Sequence, residues 1–265
     1  MATLTRDGIE LHYDVTSGSG QSYAFVHGWT CNREYFRPQA KYFAAKGHTV
    51  LTLDLRGHGA STVPEGTPIT IADFAADVGA IIAATGLNHP IVVGHSMGGL
   101  IVLKLAVDYP GHVGGIVMVD PAPLIWTDEF ARGVDAVVAA MKVGDQGPRR
   151  DFISEGLFLP TDDVAVKEKT LADMLGTPVH VAVAAMESVR AFDGPGMASR
   201  CKVPTLHIGA AIPLNPLAQL EGLIEGAVSG QTVGAGHLHQ LLVPVQVNDM
   251  IERFARIYVW KNGPR

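Results

Sequence analysis

The sequence predicts an α/β fold in which a mostly parallel sheet is flanked by helices and interrupted by one helical insertion. Short β-branched apolar runs alternate with segments of helical spacing through residues 1–123 and 201–265. This alternation is typical of parallel strands joined by right-handed crossovers. Between residues 124 and 200 only helical patterns remain. We therefore expect one core domain, formed by residues 1–123 and 201–265, and a helical cap formed by residues 124–200.

Local signals predict each core element in turn. Alternation around Asp7 and Gly8 predicts a hairpin over residues 3–16. Compact apolar runs that end at turn residues predict buried strands. These strands are 23–26, 49–53, 91–93, 115–119, 203–208 and 231–233. Apolar residues at helical spacing, stopped by Gly or Pro, predict helices. These helices are 36–46, 71–85, 99–108, 216–224 and 246–261.

The helical insertion is predicted to consist of several short helices. Glycine and proline interrupt its helical pattern at residues 144–148, 160–161 and 176–178. Both residue types end helices, because proline lacks the N–H donor and glycine is conformationally permissive.

Composition limits the classes of function. The chain has 265 residues, 47% of them hydrophobic, and a formal net charge of −6 with scattered Lys and Arg, which argues against nucleic-acid binding. The first residues lack a signal-peptide pattern, and no apolar run approaches the roughly 20 residues of a membrane span. We expect a cytoplasmic protein with no membrane partner, and a monomer or small homo-oligomer. Cys31 and Cys201 lack metal-ligand spacing and are expected to be reduced thiols.

Residues 94–98 read Gly-His-Ser-Met-Gly and directly follow an apolar strand. Ser96 is predicted to lie on a sharp turn between this strand and the next helix, with its hydroxyl lifted clear of the backbone. The glycines two residues to either side permit so tight a turn. The pattern indicates a nucleophilic serine.

A serine hydroxyl needs a base, and the resulting oxyanion needs two N–H donors. His237 lies in a glycine-rich loop late in the chain and is the candidate base, with His239 as its competitor. The backbone N–H groups of Met97, directly after the serine, and of Trp29, after an early strand, are the candidate oxyanion donors.

Four segments in this order resemble the α/β-hydrolase superfamily, and the resemblance covers nearly the whole chain. They are His-Gly-Trp at 27–29, Asp-Leu-Arg-Gly-His-Gly at 54–59, Gly-His-Ser-Met-Gly-Gly at 94–99 and Gly-His at 236–237. The resemblance, to its cap-containing serine hydrolase branch, implies that Ser96 is the nucleophile and His237 the general base.

The carboxylate that would orient His237, the acid of the site, departs from the commonest pattern of that superfamily. Ile212 stands where most members place an Asp, and no carboxylate lies between Lys202 and Glu221. Some branches take the acid from the end of the preceding strand, where this chain has Asp120. Asp120 is therefore the expected acid.

Aromatic and methionine side chains indicate an apolar substrate site. The candidate substrate-binding residues are Trp29, Trp126, Phe130, Phe152, Phe158 and Met186. We expect hydrolysis of a small, largely apolar ester, lactone or thioester, with no cofactor and no metal.

Two alternatives stay open. The first is a cofactor-independent dioxygenase, because the Asp120 position and the loop at 27–29 also resemble enzymes that cleave 3-hydroxy-4-oxoquinoline rings with a His–Asp base. The second is a ligand receptor on the same fold.

Overall fold

Eight strands form one sheet in the computed structural model, which describes residues 1–260. They are β1 Ala2–Arg6, β2 Ile9–Thr16, β3 Ser22–Val26, β4 Thr49–Leu53, β5 Ile91–His95, β6 Gly115–Val119, β7 Thr205–Gly209 and β8 Val228–Gln231. The strand order is β1-β2-β4-β3-β5-β6-β7-β8. β2 pairs antiparallel with β1 and with β4, and all other pairs are parallel. The predicted α/β class and mostly parallel sheet are confirmed.

Helices connect the parallel strands. They are α1 Arg37–Ala45, α2 Ile71–Thr85, α3 Met97–Asp108, α4 Asp128–Lys142, α5 Gly147–Gly156, α6 Val164–Leu175, α7 Val179–Arg190, α8 Gly194–Ala198, α9 Leu217–Leu223, α10 His239–Leu242 and α11 Pro244–Phe254. Short 3₁₀ turns cover Arg33–Phe36 and Pro110–His112, and a π-helical turn covers Ala255–Val259. Helix α2 illustrates the local signals, since Thr70 and Asp73 form a capping box and Gly86 ends the helix at φ 68°.

Both faces of the sheet are buried, because side chains alternate between them along each strand. Tyr23 and Phe25 of β3 pack on the face covered by α1 and α11. Ala24 and Val26 pack on the opposite face, together with α2, α3 and the apolar residues of α4–α7. The central strands β3–β7 are therefore mostly apolar, and polar side chains become accessible where these strands end.

Several predicted boundaries differ from the structure, among them the following three. β8 lies at Val228–Gln231, because these residues pair with β7, whereas the exposed Val233 forms its N–H bond with the Gln246 side chain. Helix α3 begins at Met97, directly after Ser96, and not at residue 99. Helix α11 begins at Pro244, since proline suits the first helical turn. The predicted end of that helix at Lys261 and the end of the core segment 201–265 lie outside the described residues.

Residues 124–200, which we call the cap segment, contain α4–α8 between β6 and β7. Helix α4 packs against α5 and α7, while α7 also contacts α2 and α8 contacts α3. Thr127, Asp163 and Asp193 cap the N-termini of α4, α6 and α8. Among the described residues, no helix has both the length and the apolar character required to cross a membrane.

A buried ion pair joins the loop after β4 to helix α2. Arg56 donates from Nε and Nη2 to the Asp77 carboxylate at 2.6 and 2.7 Å. Arg6 donates to the same carboxylate at 2.6 Å. The side chains of Arg56 and Asp77 are only 3% and 1% exposed. Loss of the carboxylate would leave the buried guanidinium with only the more distant carboxylates of Asp73 and Asp7, at 3.7 and 3.8 Å.

We predict that Asp77→Ala lowers the free energy of unfolding by about 3–5 kcal/mol, the range for breaking a buried ion pair. Urea denaturation followed by circular dichroism measures the change. The control is Glu225→Gln, because Glu225 pairs with Lys202 but both side chains are largely exposed. It should cost less than about 1 kcal/mol. Equal losses in the two variants would contradict a dominant role for the buried pair.

Candidate active site

Ser96 lies on a strained turn between β5 and α3. Its backbone has φ 54° and ψ −119°, a conformation that non-glycine residues rarely adopt. A Cβ at Gly94 would overlap the Gly98 carbonyl, and a Cβ at Gly98 would overlap the Val26 carbonyl. The Ser96 N–H is held by the Val119 carbonyl at 3.0 Å. Ser96 is also the one residue of 91–100 that is not fully buried, so the turn leaves it partly accessible.

Two backbone N–H groups flank this serine. Met97 is the first residue of α3, so its N–H lacks a partner within the helix. Trp29 follows β3, the strand next to β5, and a Cβ on Gly28 would stand 3.1 Å from the Ser96 Cβ. Within residues 1–260, neither N–H donates a hydrogen bond to another backbone group. Both candidate oxyanion donors therefore lie beside Ser96 with their N–H groups unused.

The loop that carries Trp29 is fixed from two sides. The His27 ring accepts from the Leu55 N–H at 3.1 Å and contacts the Gly28 carbonyl at 2.8 Å. Because Nε2 is the acceptor, Nδ1 carries the proton in this arrangement. The Trp29 indole donates to the Ala182 carbonyl in α7 at 2.8 Å. The indole thereby ties this loop to the cap segment.

Asp120 and His237 form a buried hydrogen bond. The His237 Nδ1 and Asp120 Oδ2 atoms are 2.7 Å apart, and the Asp120 side chain is 1% exposed. A carboxylate only accepts hydrogen bonds, so Nδ1 carries the proton and Nε2 keeps its lone pair. Among the described residues, Ser96 and His237 share no hydrogen bond. Such contacts often tighten only when substrate binds.

The loop after β7 contributes donors to Asp120 where most relatives would place the acid itself. The N–H groups of Leu214 and Ala210 point to Asp120 Oδ1 at 3.2 and 3.5 Å. Ile212 is 75% exposed. Burial alone would raise the pKa of Asp120, but the hydrogen bonds from His237 and from the Leu214 N–H help to outweigh it, so this pKa lies below its ordinary value.

Two further histidines surround His237 and stay neutral. Burial, reinforced by the neighbouring histidines, holds the pKa of His95 well below its ordinary range. Burial lowers the pKa of His239 to about 4. His95 donates from Nε2 to the His237 carbonyl at 3.0 Å, and His239 is hydrogen bonded to Thr232. His239 thus contacts Thr232 and not Asp120, so His237 is the histidine that the acid orients.

The cap segment holds the loop that carries His237. The Asp162 carboxylate accepts from the Gly236 N–H at 3.2 Å and from the Leu159 N–H at 2.7 Å. The His237 N–H in turn donates to the Leu157 carbonyl at 2.9 Å. A Cβ on Gly236 would stand 2.7 Å from the Asp162 carboxylate and 2.8 Å from that carbonyl. This contact between residues 157–162 and 236–237, the cap–loop contact, therefore requires glycine at 236.

Ser96, Asp120 and His237 line one cavity of about 340 Å³ between the sheet edge and the cap segment. All six candidate substrate residues line it as well: Trp29, Trp126, Phe130, Phe152, Phe158 and Met186. The Trp126 and Phe130 rings stack at 5.5 Å, and Phe152 meets Trp29 edge-on. The walls are mostly apolar, as is usual for small-molecule sites.

Sequence reasoning missed several lining residues, namely Cys31, Val134, Glu155 and Val189. Val134 and Val189 lie on the apolar faces of α4 and α7, so helical periodicity indicates their burial but not the cavity. It also missed Asp162, whose contact with Gly236 spans 74 positions of the sequence. No local pattern marks such a contact.

Comparison with known proteins agrees with the fold. The profile of the family described as alpha/beta hydrolase fold matches residues 24–165, which is more than half of the chain. An sn-1-specific diacylglycerol lipase, ABHD11, of Xenopus laevis is 28% identical over 86% of this chain and 78% of its own. A solved structure of Est816, described as an N-acyl homoserine lactone degrading enzyme, has a TM-score of 0.84 and 25% identity, covering 96% of this chain and all of its own.

Some other matches are shorter. The 2-(acetamidomethylene)succinate hydrolase of Mesorhizobium japonicum is 35% identical over 49% of this chain and 44% of its own. The chain spans only 55%, 44% and 30% of the length of three curated relatives that it matches.

We predict that Asp162→Ala lowers the free energy of unfolding by about 1–3 kcal/mol, because two buried N–H groups lose a charged acceptor. Urea denaturation measures the loss. Asp151→Ala is the control, since Asp151 is an exposed residue of the same cap segment, and it should change stability by less than about 0.5 kcal/mol. If Asp162→Ala costs no more than this control, the cap–loop contact does not stabilise the fold.

The lowered pKa of Asp120 also predicts a pH dependence. The folded state binds protons on Asp120 less readily than the unfolded state does, so this contribution to stability is complete above about pH 5 and is lost as pH falls. We expect the stability difference between the parent and Asp120→Asn to shrink between pH 5 and 3, measured by urea denaturation. A constant difference over this range would contradict the prediction.

Proposed function

Because the chain belongs to the α/β-hydrolase fold family, we propose that it is a serine hydrolase of a small, largely apolar ester, lactone or thioester. One observation carries this proposal. A strained serine and an Asp–His pair, brought together from three different loops, line the same apolar cavity. The names of relatives that act on diacylglycerol and on a homoserine lactone support an ester or lactone bond as the target.

The proposed reaction has two steps. In the first, Ser96 Oγ attacks the carbonyl carbon while His237 Nε2 takes the hydroxyl proton and then delivers it to the departing alcohol or thiol. In the second, water attacks the acyl-serine ester and gives one proton to His237, which delivers it to Ser96 Oγ as the acid is released. Asp120 keeps the proton on Nδ1, so Nε2 is the nitrogen that accepts it.

The N–H groups of Met97 and Trp29 are the proposed stabilisers of the oxyanion. The Met97 N–H also lies at the N-terminus of α3, whose dipole favours negative charge. Preorganised donors of this kind contribute about 3–4 kcal/mol each to transition-state stabilisation. The cap segment, residues 124–200, is proposed to bind the acyl group through its aromatic side chains.

We predict that Ser96→Ala abolishes turnover of p-nitrophenyl butyrate and labelling by a fluorophosphonate, because both require the serine oxygen. Spectrophotometry and mass spectrometry measure the two effects. The control is Ser154→Ala, a serine of the cap segment that does not line the cavity, which should keep both activities. A parent protein that is neither labelled nor active would overturn the proposal. Oxygen uptake with a hydroxyquinolone, or tight ligand binding alone, would then favour the dioxygenase or the receptor.

We predict that Asp120→Asn lowers kcat roughly 10³- to 10⁴-fold, since an amide can hold His237 in the wrong tautomer. The ester assay gives kcat and KM separately. KM should change little, because Asp120 orients the base and does not hold the acyl chain. A loss of less than tenfold in kcat would show that Asp120 is not the acid.

A further inference from the structure

Charge is unevenly distributed around the cavity. Among the described residues that line it, the only carboxylates are Asp120 and Glu155, and there is no lysine or arginine. Asp120 is held by His237 and the backbone, and His95 is neutral because burial lowers its pKa. Within residues 1–260, Glu155 forms no ion pair. The residues that line the cavity therefore carry negative charge and include no cation.

The nearest guanidinium groups of the cap segment are engaged elsewhere. Arg149 stacks over the Trp29 ring at 5.6 Å and donates to the Thr177 carbonyl at 3.2 Å. Arg190 stacks over Trp126 at 4.4 Å and pairs with Asp135 at 2.8 Å. Neither arginine lines the cavity. Each lies behind an aromatic ring and is held by its own acceptors.

Glu155 lies where its carboxylate can act on a substrate that enters the cavity. It lies near the end of α5, is exposed to solvent, and lines the cavity together with Gly156 and Phe152. At the rim of a cavity with apolar walls, a carboxylate acts on an entering group through a medium that screens charge less than bulk water does. An acyl chain that ends in a carboxylate would lose hydration on entry and gain no cation in return.

We propose that Glu155 makes this site selective for substrates with an uncharged acyl chain, and that it rejects acyl chains bearing a carboxylate. This inference rests on the proposed hydrolase function. It separates the chain from its relative that acts on a succinate, since a succinate presents negative charge for which these walls provide no cation.

The test compares p-nitrophenyl pentanoate with the p-nitrophenyl monoester of glutaric acid, two substrates of equal chain length that differ by one terminal carboxylate. We expect kcat/KM of the parent to be at least 100-fold higher for the pentanoate at low salt. Glu155→Gln should raise the glutarate-to-pentanoate ratio roughly threefold to tenfold, and Glu155→Lys should raise it further. Added salt should narrow the difference between parent and variants.

Glu168→Gln is the matched control. Glu168 is an exposed glutamate on α6 of the same cap segment, it does not line the cavity, and its replacement changes the net charge equally. The glutarate-to-pentanoate ratio should stay at the parent value in this control. An equal rise in both variants would mean that overall charge sets the selectivity and would overturn the role of Glu155.

A binding experiment separates this inference from the proposed function. Ser96→Ala protein, alone and combined with Glu155→Lys, is titrated by calorimetry with dimethyl glutarate and with monomethyl glutarate. We expect the neutral diester to bind at least tenfold more tightly in Ser96→Ala, and the added lysine to reverse much of this difference. An active parent enzyme with an unchanged glutarate-to-pentanoate ratio in Glu155→Gln would refute the role of Glu155 and leave the hydrolase proposal standing. Inactive, unlabelled parent protein would refute the hydrolase proposal, and equal binding of both esters would then refute the selection as well.

Discussion

The hydrogen bond between Asp120 and His237 is the interaction on which the arrangement of the site depends. It joins the end of β6 to the loop after β8, across 117 positions of sequence, and it lies in a buried environment. Burial of a carboxylate is costly unless hydrogen bonds compensate. Here His237 satisfies one oxygen, and backbone donors of the loop after β7 satisfy the other. Asp120, His237 and the loop after β7 therefore stabilise each other.

The cap segment also supports groups of the core. Its Ala182 carbonyl accepts a hydrogen bond from the Trp29 indole. Its residues Leu157 and Asp162 accept hydrogen bonds from the loop that carries His237. One candidate oxyanion donor and the candidate base are thus both fixed by residues of 124–200. A cap that moved as an independent lid would break these contacts. We therefore regard the cap–loop contact as part of the structure that orients His237.

The sequence predicted the sheet, the order of its elements and the turn at Ser96, because these depend on local signals. Apolar runs, glycines and prolines mark strands and turns wherever they occur. The sequence predicts the last strand at 231–233 because Val233 continues the apolar pattern. In the structure the Val233 N–H bonds with the Gln246 side chain, and Val233 lies outside the sheet. Asp162 and Glu155 were missed because their importance arises from contacts made only after α5, α6 and the core come together. Patterning within one segment contains no information about such contacts.

The position of the acid illustrates how one geometry can be reached by different sequences. An orienting carboxylate must reach His237 Nδ1 from the carboxyl edge of the sheet, where the ends of β6 and β7 are neighbours. Because residues 203–220 contain no Asp or Glu, the loop after β7 cannot supply that carboxylate. Asp120 reaches the same nitrogen from β6 with its backbone at φ 38°, a left-handed conformation in which an Asp is more readily accommodated than most residues. The neighbouring loop then donates two N–H hydrogen bonds to Asp120. With the carboxylate at the end of β6, that strand end supplies the hydrogen-bond acceptor for His237 Nδ1, and the loop after β7 supplies donors to the carboxylate.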